Sequence, residues 1–306
     1  MDSGLKDVHM LVTGASGGIG LETARLFLKQ GARVSAHYRS TVSTVAQLAA
    51  EYGPQSVRSV KADLTQEAEV SAMFLAANQH FGPVQVIIVN HGYWPPEDVP
   101  VVRMTLDQWN STISTDLTST FLVVREYLRG LEKASDPQKD KAAIVMIGST
   151  AGKFGEAGHA DYAACKSAMM YGLTMSLKNE IVKIAPRGRV NTVAPGWVRT
   201  PMAESALQNP EVIYRALATT PLKKVAMPED IASQIVVLSS GVLSGHVTGQ
   251  VIMVEGGMEG RLLNRQEDFA PITATAFTAC QFWFTKFIPT KLSDDWPYDL
   301  IRVGTD

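Results

Sequence analysis

Short apolar runs alternate with longer segments of helical period from the start of the chain to about residue 255. The runs at residues 86–89 and 144–147 are apolar at every position, which is typical of strands covered by helices on both faces. Such strands pair in parallel, and the segments between them are long enough for right-handed crossovers. The pattern predicts an α/β fold: a doubly wound, seven-stranded parallel sheet with helices on both faces.

The predicted strands lie at residues 8–13, 33–38, 56–61, 85–90, 142–148, 189–194 and 250–254. Segments of helical period between them include residues 18–30, 66–81, 106–132 and 160–184. A polar stretch at residues 136–140 predicts a loop. We expect one α/β domain over residues 1–260 and an extension over residues 261–306.

Composition disfavours several classes of protein. Hydrophobic residues make up 45% of the chain and charged residues 19%, which is typical of a globular core and unlike a disordered chain. Lys and Arg number 28 against 30 for Asp and Glu, so no basic excess is available for nucleic acid. The two cysteines, Cys165 and Cys280, are too few for a disulfide framework and lack the clustering with histidine that metal ligation needs.

The sequence predicts neither a signal peptide nor a transmembrane segment. The first ten residues are too polar for the apolar core of a signal peptide. The longest apolar runs have about the length of a strand, well short of the roughly 18 residues that span a bilayer. We therefore expect a cytoplasmic protein with no transmembrane segment, no metal and no nucleic-acid partner.

A glycine-rich segment, Thr-Gly-Ala-Ser-Gly-Gly-Ile-Gly at residues 13–20, follows the first predicted strand and opens the first helix. Glycine lets the backbone turn tightly and approach a pyrophosphate, whose charge free N–H groups and the helix dipole would meet. Within a strand–turn–helix unit this spacing predicts a dinucleotide site. A glycine-rich turn without a ligand is the alternative.

The end of the second strand indicates which dinucleotide would bind, because that edge meets the adenosine ribose. An acidic residue there would hydrogen-bond a free 2′-hydroxyl, whereas this chain has Arg39. A guanidinium can pair with a 2′-phosphate and stack on adenine. The sequence favours NADP(H), with an ordinary solvated arginine as the alternative.

Three residues form a candidate catalytic set. Ser149 ends the fifth predicted strand, and Tyr162 and Lys166 lie four residues apart on one face of a predicted helix. An ammonium beside a phenol favours the phenolate and lowers the phenol's pKa from about 10, which makes a tyrosine usable as a proton donor or acceptor. Ser149 would hold a carbonyl oxygen.

These motifs together resemble the NAD(P)-dependent short-chain dehydrogenase/reductase family over about residues 7–257. Besides the glycine turn and the catalytic set, the resemblance rests on Asp63-Leu64, Asn90-His91-Gly92 and Pro195-Gly196, which follow the third, fourth and sixth strands. It implies a Rossmann-type fold with a nicotinamide cofactor. The implied cofactor-binding residues are Gly14, Ser16, Gly18, Ile19, Gly20, Arg39, Asp63, Leu64, Asn90, Gly92, Arg125, Tyr162, Lys166, Pro195, Gly196, Val198 and Thr200.

One position departs from the family pattern. The family usually places an asparagine in the helix before the fifth strand, where it holds a water in a proton relay to the lysine. Asp116 occupies the matching position. An ionised carboxylate accepts hydrogen bonds but donates none. Because Lys166 could stabilise its charge, Asp116 is included among the candidate catalytic residues.

The loops that face the substrate in the family carry aromatic residues in this chain: Tyr93, Trp94, Phe154 and Trp197. They predict a pocket for a hydrophobic or ring-bearing carbonyl compound, with ordinary loop packing as the alternative. Residues 200–220 predict a mobile lid. His91, His159 and Asp161 are interpreted as polar loop residues near a helix start, with proton transfer as the alternative.

The extension is rich in aromatic residues, and Phe277, Cys280, Phe284 and Phe287 recur at helical spacing. They predict a short amphipathic helix that docks on its own or a neighbouring subunit. By resemblance, the predicted helices at residues 106–132 and 160–184 pair subunits, so a homodimer or homotetramer is expected.

The sequence predicts an NADPH-dependent ketoreductase, which transfers a hydride between nicotinamide and a hydrophobic small-molecule carbonyl or secondary alcohol. Three alternatives remain: an NAD-linked alcohol dehydrogenase, a cyclase or isomerase without net hydride transfer, and a binding module that uses the same pocket.

Overall fold

The computed structural model of the chain describes residues 2–258. Seven strands form one parallel sheet in the order β3-β2-β1-β4-β5-β6-β7. They are β1 (His9–Val12), β2 (Arg33–Tyr38), β3 (Val57–Lys61), β4 (Val86–Val89), β5 (Ala143–Ile147), β6 (Arg189–Pro195) and β7 (Val251–Val254). The doubly wound parallel sheet is confirmed. The predicted extension at residues 261–306, with its amphipathic helix, lies outside the described residues.

Helices connect the strands. They are α1 (Gly18–Lys29), α2 (Ser43–Tyr52), α3 (Glu67–Phe81), α4 (Leu106–Thr112), α5 (Ser119–Glu132), α6 (Asp136–Lys139), α7 (Thr150–Phe154), α8 (Ala160–Ser167), α9 (Thr174–Ile184), α10 (Pro210–Ala218) and α11 (Pro228–Ser239). The prediction of a polar loop at residues 136–140 is wrong, because Ser135 and Gln138 form a capping box at the start of α6. Every helix within residues 2–258 is too short or too polar to span a membrane.

The two long helices predicted from periodicity each contain a π-helical segment. Ile113–Thr118 joins α4 to α5, and Ala168–Leu173 joins α8 to α9. A π turn holds one more residue than an α turn and is frequent at functional sites. The first of these segments carries Asp116.

The core lies on both faces of the sheet. Along β4, Val86 and Ile88 pack into one buried cluster and Ile87 and Val89 into the other. The unbroken apolar runs thus reflect strands covered on both sides. Because α1, α2 and α11 pack on one face and α3, α5 and α9 on the other, solvent reaches the sheet at its ends. The carboxyl ends of β1 and β4 meet at the point where strand order reverses, which is where such sheets bind ligands.

Candidate active site

A cleft with an empty volume of about 1070 Å³ opens at the carboxyl ends of β1, β4, β5 and β6. Its walls are the loops that follow these strands, one face of α8 and residues 200–203 of the predicted lid. The predicted site residues that line it are Gly18, Ile19, Asn90, Gly92, Trp94, Ser149, Tyr162, Lys166, Pro195, Gly196, Trp197, Val198 and Thr200. The cleft therefore gathers predicted residues from five separate sequence segments.

The glycine turn is closed on one side and open on the other. A β-carbon on Gly20 would lie 2.3 Å from the carbonyl oxygen of Gly14 and 2.5 Å from Nδ2 of Asn90, so only glycine fits there. Asn90 Nδ2 in turn donates to the carbonyl oxygens of Thr13 and Gly14, at 3.0 and 3.2 Å. Gly17 lines the cleft, and a β-carbon on it would meet nothing within 4 Å. This open backbone at the start of α1 fits a pyrophosphate.

A second layer of contacts holds the turn, and sequence reasoning missed its main residue, His37. The N–H of Gly14 donates to His37 Nδ1 at 3.0 Å, and Nε2, which then carries the proton, donates to the carbonyl oxygen of Ala62 at 3.0 Å. Burial lowers the pKa of His37, which favours this neutral form. Thr44 Oγ1 also donates to the carbonyl oxygen of Ser16, at 2.8 Å. The signal available in the sequence was a histidine within the second predicted strand, close to its end.

The three residues predicted to lie near the adenosine, Arg39, Asp63 and Leu64, differ in exposure and in their contacts. Arg39 is exposed just after β2. Asp63 Oδ1 accepts hydrogen bonds from the N–H and hydroxyl of Thr65, and these bonds lower the pKa of Asp63. Leu64 is buried in the core. The exposed guanidinium is thus available at the edge where a ribose phosphate would lie.

Ser149, Tyr162 and Lys166 all line this cleft. Ser149 is the N-cap of α7, and its Oγ accepts the N–H of Ala151 at 3.1 Å, which leaves its hydrogen for a substrate oxygen. Lys166 is 4% exposed; its Nζ donates to the carbonyl oxygen of Ile147 at 3.0 Å and lies 5.5 Å from the centre of the Tyr162 ring. Burial lowers the pKa of Lys166, and the Asp116 carboxylate opposes that shift.

Asp116 is fully buried behind these residues. Its Oδ1 accepts the N–H of Tyr93 at 2.7 Å, and its Oδ2 has no hydrogen-bond partner within the described part of the chain. Burial raises the pKa of Asp116 to about 6, while Lys166 and the Tyr93 N–H act in the opposite direction. A β-carbon on Gly92 would lie 3.2 Å from Lys166 Nζ and 3.7 Å from Asp116 Oδ2. The two ionisable groups therefore flank Gly92.

The histidines near the site are more than loop residues. His91 Nδ1 lies 2.9 Å from Thr13 Oγ1 and its Nε2 lies 2.8 Å from Ser119 Oγ, so the ring joins β1 to α5. Loss of solvent around the ring holds the pKa of His91 well below its usual value. Asp161 is fully buried and accepts from the hydroxyl of Thr112 at 2.7 Å. As interpreted from the sequence, His91 lies in a loop, His159 is the N-cap of α8 and Asp161 lies in its first turn, and the buried contacts of His91 and Asp161 show which parts of the fold these residues hold together.

Two tryptophans form an aromatic wall of the cleft. The Trp94 ring stacks on His159, with centroids 4.6 Å apart and planes at 17°, and meets Trp197 edge to face at 6.0 Å and 76°. His159 is 1% exposed. The aromatic wall, Trp94, Trp197 and His159, thus has a fixed orientation on the substrate side.

Phe154, Tyr93 and Arg125 are also absent from the cleft lining, like Asp116 and several predicted residues of the turn and of the strand ends. Phe154 sits under the Lys153 ammonium, which is 4.9 Å from its ring centre. Tyr93 is 45% exposed and lines a separate hollow beside Pro95. Arg125 of α5 pairs with Glu67 of α3 and lies over the Phe121 ring, so its contacts hold helices together instead of facing the cleft. Position in sequence alone does not fix which way these side chains point.

The cleft also contains residues that the sequence did not indicate. Pro201 and Met202 line it from the lid segment, and Glu156 lines it from the loop between α7 and α8. A single acidic residue in a loop carries no spacing signal, so only the fold reveals it.

Comparisons with known proteins show which proteins this chain is similar to. A family model described as "Enoyl-(Acyl carrier protein) reductase" matches residues 14–259. The chain is similar to the 3-oxoacyl-[acyl-carrier-protein] reductase of Vibrio cholerae, with 34% identity over 249 residues, which covers 81% of this chain and 96% of that protein. It is also similar to the protein of the same name from Chlamydia trachomatis, with 33% identity over 250 residues and the same coverage.

Among solved structures, a Brucella melitensis protein described as "Short-chain dehydrogenase/reductase SDR:Glucose/ribitol dehydrogenase" matches with a TM-score of 0.75 and 30% identity. The match covers 84% of this chain and 99% of that one. The matched family model, the relatives and the seven-stranded sheet agree, and the chain belongs to the short-chain dehydrogenase/reductase family of oxidoreductases.

Proposed function

We propose that the protein is an NADPH-dependent ketoreductase that reduces the carbonyl group of a hydrophobic small molecule to a secondary alcohol. The observation that carries the proposal is the convergence of Ser149, Tyr162 and Lys166 on one cleft with an open glycine turn. In the reverse direction the same residues would oxidise the alcohol.

The cofactor, when bound, supplies the hydride. The turn at residues 14–20 would hold its pyrophosphate through backbone N–H groups, and residues 195–200 would border its nicotinamide end. The exposed Arg39 guanidinium would pair with the 2′-phosphate, which supports NADPH over NADH. Arg125 is left out of this set because it pairs with Glu67.

The protein's own groups supply the proton chemistry. Ser149 donates its hydroxyl hydrogen to the carbonyl oxygen and positions it. Tyr162 gives its phenolic proton to that oxygen as negative charge develops there. The Lys166 ammonium beside the ring stabilises the resulting phenolate. Among the residues that the structure describes, none bonds to Oδ2 of Asp116, so this oxygen could accept a hydrogen bond from a water that returns a proton to the set.

The aromatic wall supports a ring-bearing carbonyl substrate. The names of the Vibrio and Chlamydia relatives favour a second candidate, a 3-oxoacyl thioester of an acyl carrier protein. Comparing kcat/KM for 2-tetralone with that for the N-acetylcysteamine thioester of 3-oxobutanoate separates the two candidates. The ring-bearing ketone is expected to be the better substrate.

The test of the proposed function is NADPH binding by calorimetry together with NADPH consumption in the presence of 2-tetralone. Tyr162→Phe is expected to lower kcat by at least about 100-fold with NADPH affinity unchanged, because one proton donor is lost. Tyr52→Phe removes an equivalent hydroxyl from a partly buried ring of α2, outside the cleft lining, and serves as the matched control. Absence of NADPH binding, or full turnover by Tyr162→Phe, contradicts the proposal.

We also propose that the protein works in the cytoplasm as a homodimer or homotetramer. Phe121 and Tyr171 are 47% and 46% exposed, and Met175 and Val182 are 38% and 41% exposed, on or beside the two long helices. Apolar side chains that water reaches so freely support burial against another subunit. Light scattering over a concentration series tests this, and a monomer at all concentrations would contradict it.

A further inference from the structure

The substrate side of the cleft contains one acidic residue, Glu156, among the described residues that line it. Within residues 2–258, no hydrogen bond or ion pair joins its carboxylate to another group. The remaining lining is largely aromatic or aliphatic near Trp94, Trp197 and Met202. A single unpaired carboxylate in such a wall is suited to accept a hydrogen bond from a ligand.

The backbone holds Glu156 in place. Its carbonyl oxygen accepts the N–H of His159 at 3.0 Å, which closes a turn. Two residues further on, the carbonyl oxygen of Gly158 accepts the N–H of Val99 at 2.9 Å. A β-carbon on Gly158 would lie 3.0 Å from the Cα of Asp98, and its φ is +85°, so glycine is required for this close approach. The loop that carries the carboxylate is therefore anchored to the segment after Trp94.

The same loop fixes the aromatic wall. His159 Nε2 lies 2.9 Å from the carbonyl oxygen of Pro95. Because a carbonyl oxygen only accepts, Nε2 carries the proton and donates the hydrogen bond. Its Nδ1 lies 3.5 Å from Asp98 Oδ1. The His159 ring thus backs Trp94, and the indole lines the cleft as an aromatic surface against which a planar group can pack.

We propose that this end of the cleft selects ketones whose aromatic ring carries a hydrogen-bond donor: the ring packs on Trp94 and the donor binds the Glu156 carboxylate. The inference rests on the proposed ketoreductase function and specifies its substrate class. A phenolic hydroxyl is the donor tested first. A linear 3-oxoacyl chain offers neither the planar surface nor the donor.

The experiment compares 6-hydroxy-2-tetralone with 6-methoxy-2-tetralone, which differ only in the donor hydrogen and a methyl group. In the unsubstituted protein kcat/KM for the hydroxy ketone is expected to be about tenfold or more above that for the ether, since hydrogen bonds to charged groups are strong. Glu156→Leu is expected to bring this ratio close to one, mainly through KM. Glu156→Gln, which keeps an acceptor oxygen, is expected to retain part of it.

Controls separate this inference from the proposed function. Glu204→Gln changes an exposed carboxylate in the lid segment and is expected to leave the ratio unaltered. Trp94→Leu is expected to weaken binding of both tetralones about threefold to tenfold, as one stacking surface is lost. Quenching of tryptophan fluorescence gives the affinity of each tetralone for the NADP⁺-loaded protein without turnover.

The outcomes are distinguishable. A ratio that is the same in the unsubstituted protein and in Glu156→Leu overturns the assignment to Glu156. Reduction of simple ketones by NADPH with no preference for the hydroxy compound leaves the proposed function standing and overturns the inference. A Glu156-dependent binding preference without any reduction supports the site assignment and refutes the ketoreductase.

Discussion

Replacing Asp116 by asparagine removes one buried charge with little change in shape. The variant keeps an oxygen that can accept the Tyr93 N–H. It loses the negative charge that flanks Gly92 opposite Lys166. Since asparagine is the residue usual for the family at this position, the variant asks what the carboxylate adds in this protein.

The geometry sets the size of the effect. The distances of 3.2 Å and 3.7 Å from the position of a β-carbon on Gly92 keep Lys166 Nζ and Asp116 Oδ2 within about 7 Å of each other. At an effective dielectric constant of about 20, unit charges roughly 6 Å apart interact by about 3 kcal/mol, or about two pKa units. Loss of the carboxylate is therefore expected to lower the pKa of Lys166 further, beyond the lowering that burial causes.

The assay is kcat/KM for ketone reduction from pH 5 to 10. Because the pKa of Asp116 is about 6, activity of the unsubstituted protein is expected to fall below that pH, where the carboxylate becomes neutral. In Asp116→Asn this acidic limb disappears and the alkaline limb moves to lower pH, as Lys166 loses its charge earlier. Asp107→Asn, an exposed acid in the first turn of α4, is the matched control.

Stability gives an independent readout with a defined sign. The folded-state pKa of about 6 lies above the ordinary 3.8, so ionisation of Asp116 destabilises the fold above pH 6 by up to about 3 kcal/mol. Asp116→Asn is expected to raise the free energy of unfolding in urea at pH 8, and the gain is expected to shrink as the pH falls from 6 towards 4. Superimposable pH profiles and equal stabilities at pH 8 would refute the coupling between Asp116 and Lys166.

Three further changes test other parts of the site. Arg39→Asp is expected to lower NADPH affinity at least about tenfold relative to NADH affinity, measured by calorimetry, while Arg58→Asp, exposed on β3, does not; an unchanged preference removes the 2′-phosphate role. Gly20→Ala is expected to abolish NADPH binding because its β-carbon would meet the Gly14 carbonyl at 2.3 Å, and normal titration by the variant contradicts this. Ser149→Ala is expected to cost about 1 kcal/mol of unfolding free energy through the lost N-cap of α7 and to lower kcat with little change in NADPH affinity; unchanged kcat argues against the positioning role.

The sequence was sufficient for the sheet because burial leaves a strong pattern. Val86 and Ile87 point to opposite faces of β4, so a run without polar positions reports directly that both faces are covered. The glycine turn and the residues of the catalytic set were visible for a similar reason, since each is tied to the end of a strand or to one face of a helix. Because parallel strands run in the same direction, their carboxyl ends lie at the same edge of the sheet, which brings these residues together.

What the sequence could not give depends on where individual side chains point. Arg125 lies on α5 near the expected position, but its partner Glu67 comes from α3, and that pairing depends on helix packing. His159 in a loop gave no sign that it would be buried against Trp94. The π-helical segments were also not predicted, because the sequence on either side of the added residue reads as ordinary helical period.

The π-helical segment at Ile113–Thr118 limits insertions and deletions in this part of the chain. Deleting one residue there would let the segment relax to a regular α-helix, but it would remove the wider turn that carries Asp116 and so change where the carboxylate points. Substitutions are therefore tolerated more readily here than changes in length. Related proteins with an aspartate or asparagine at the position of Asp116 are expected to keep the number of residues between Trp109 and Tyr127, even where every other residue of this stretch differs.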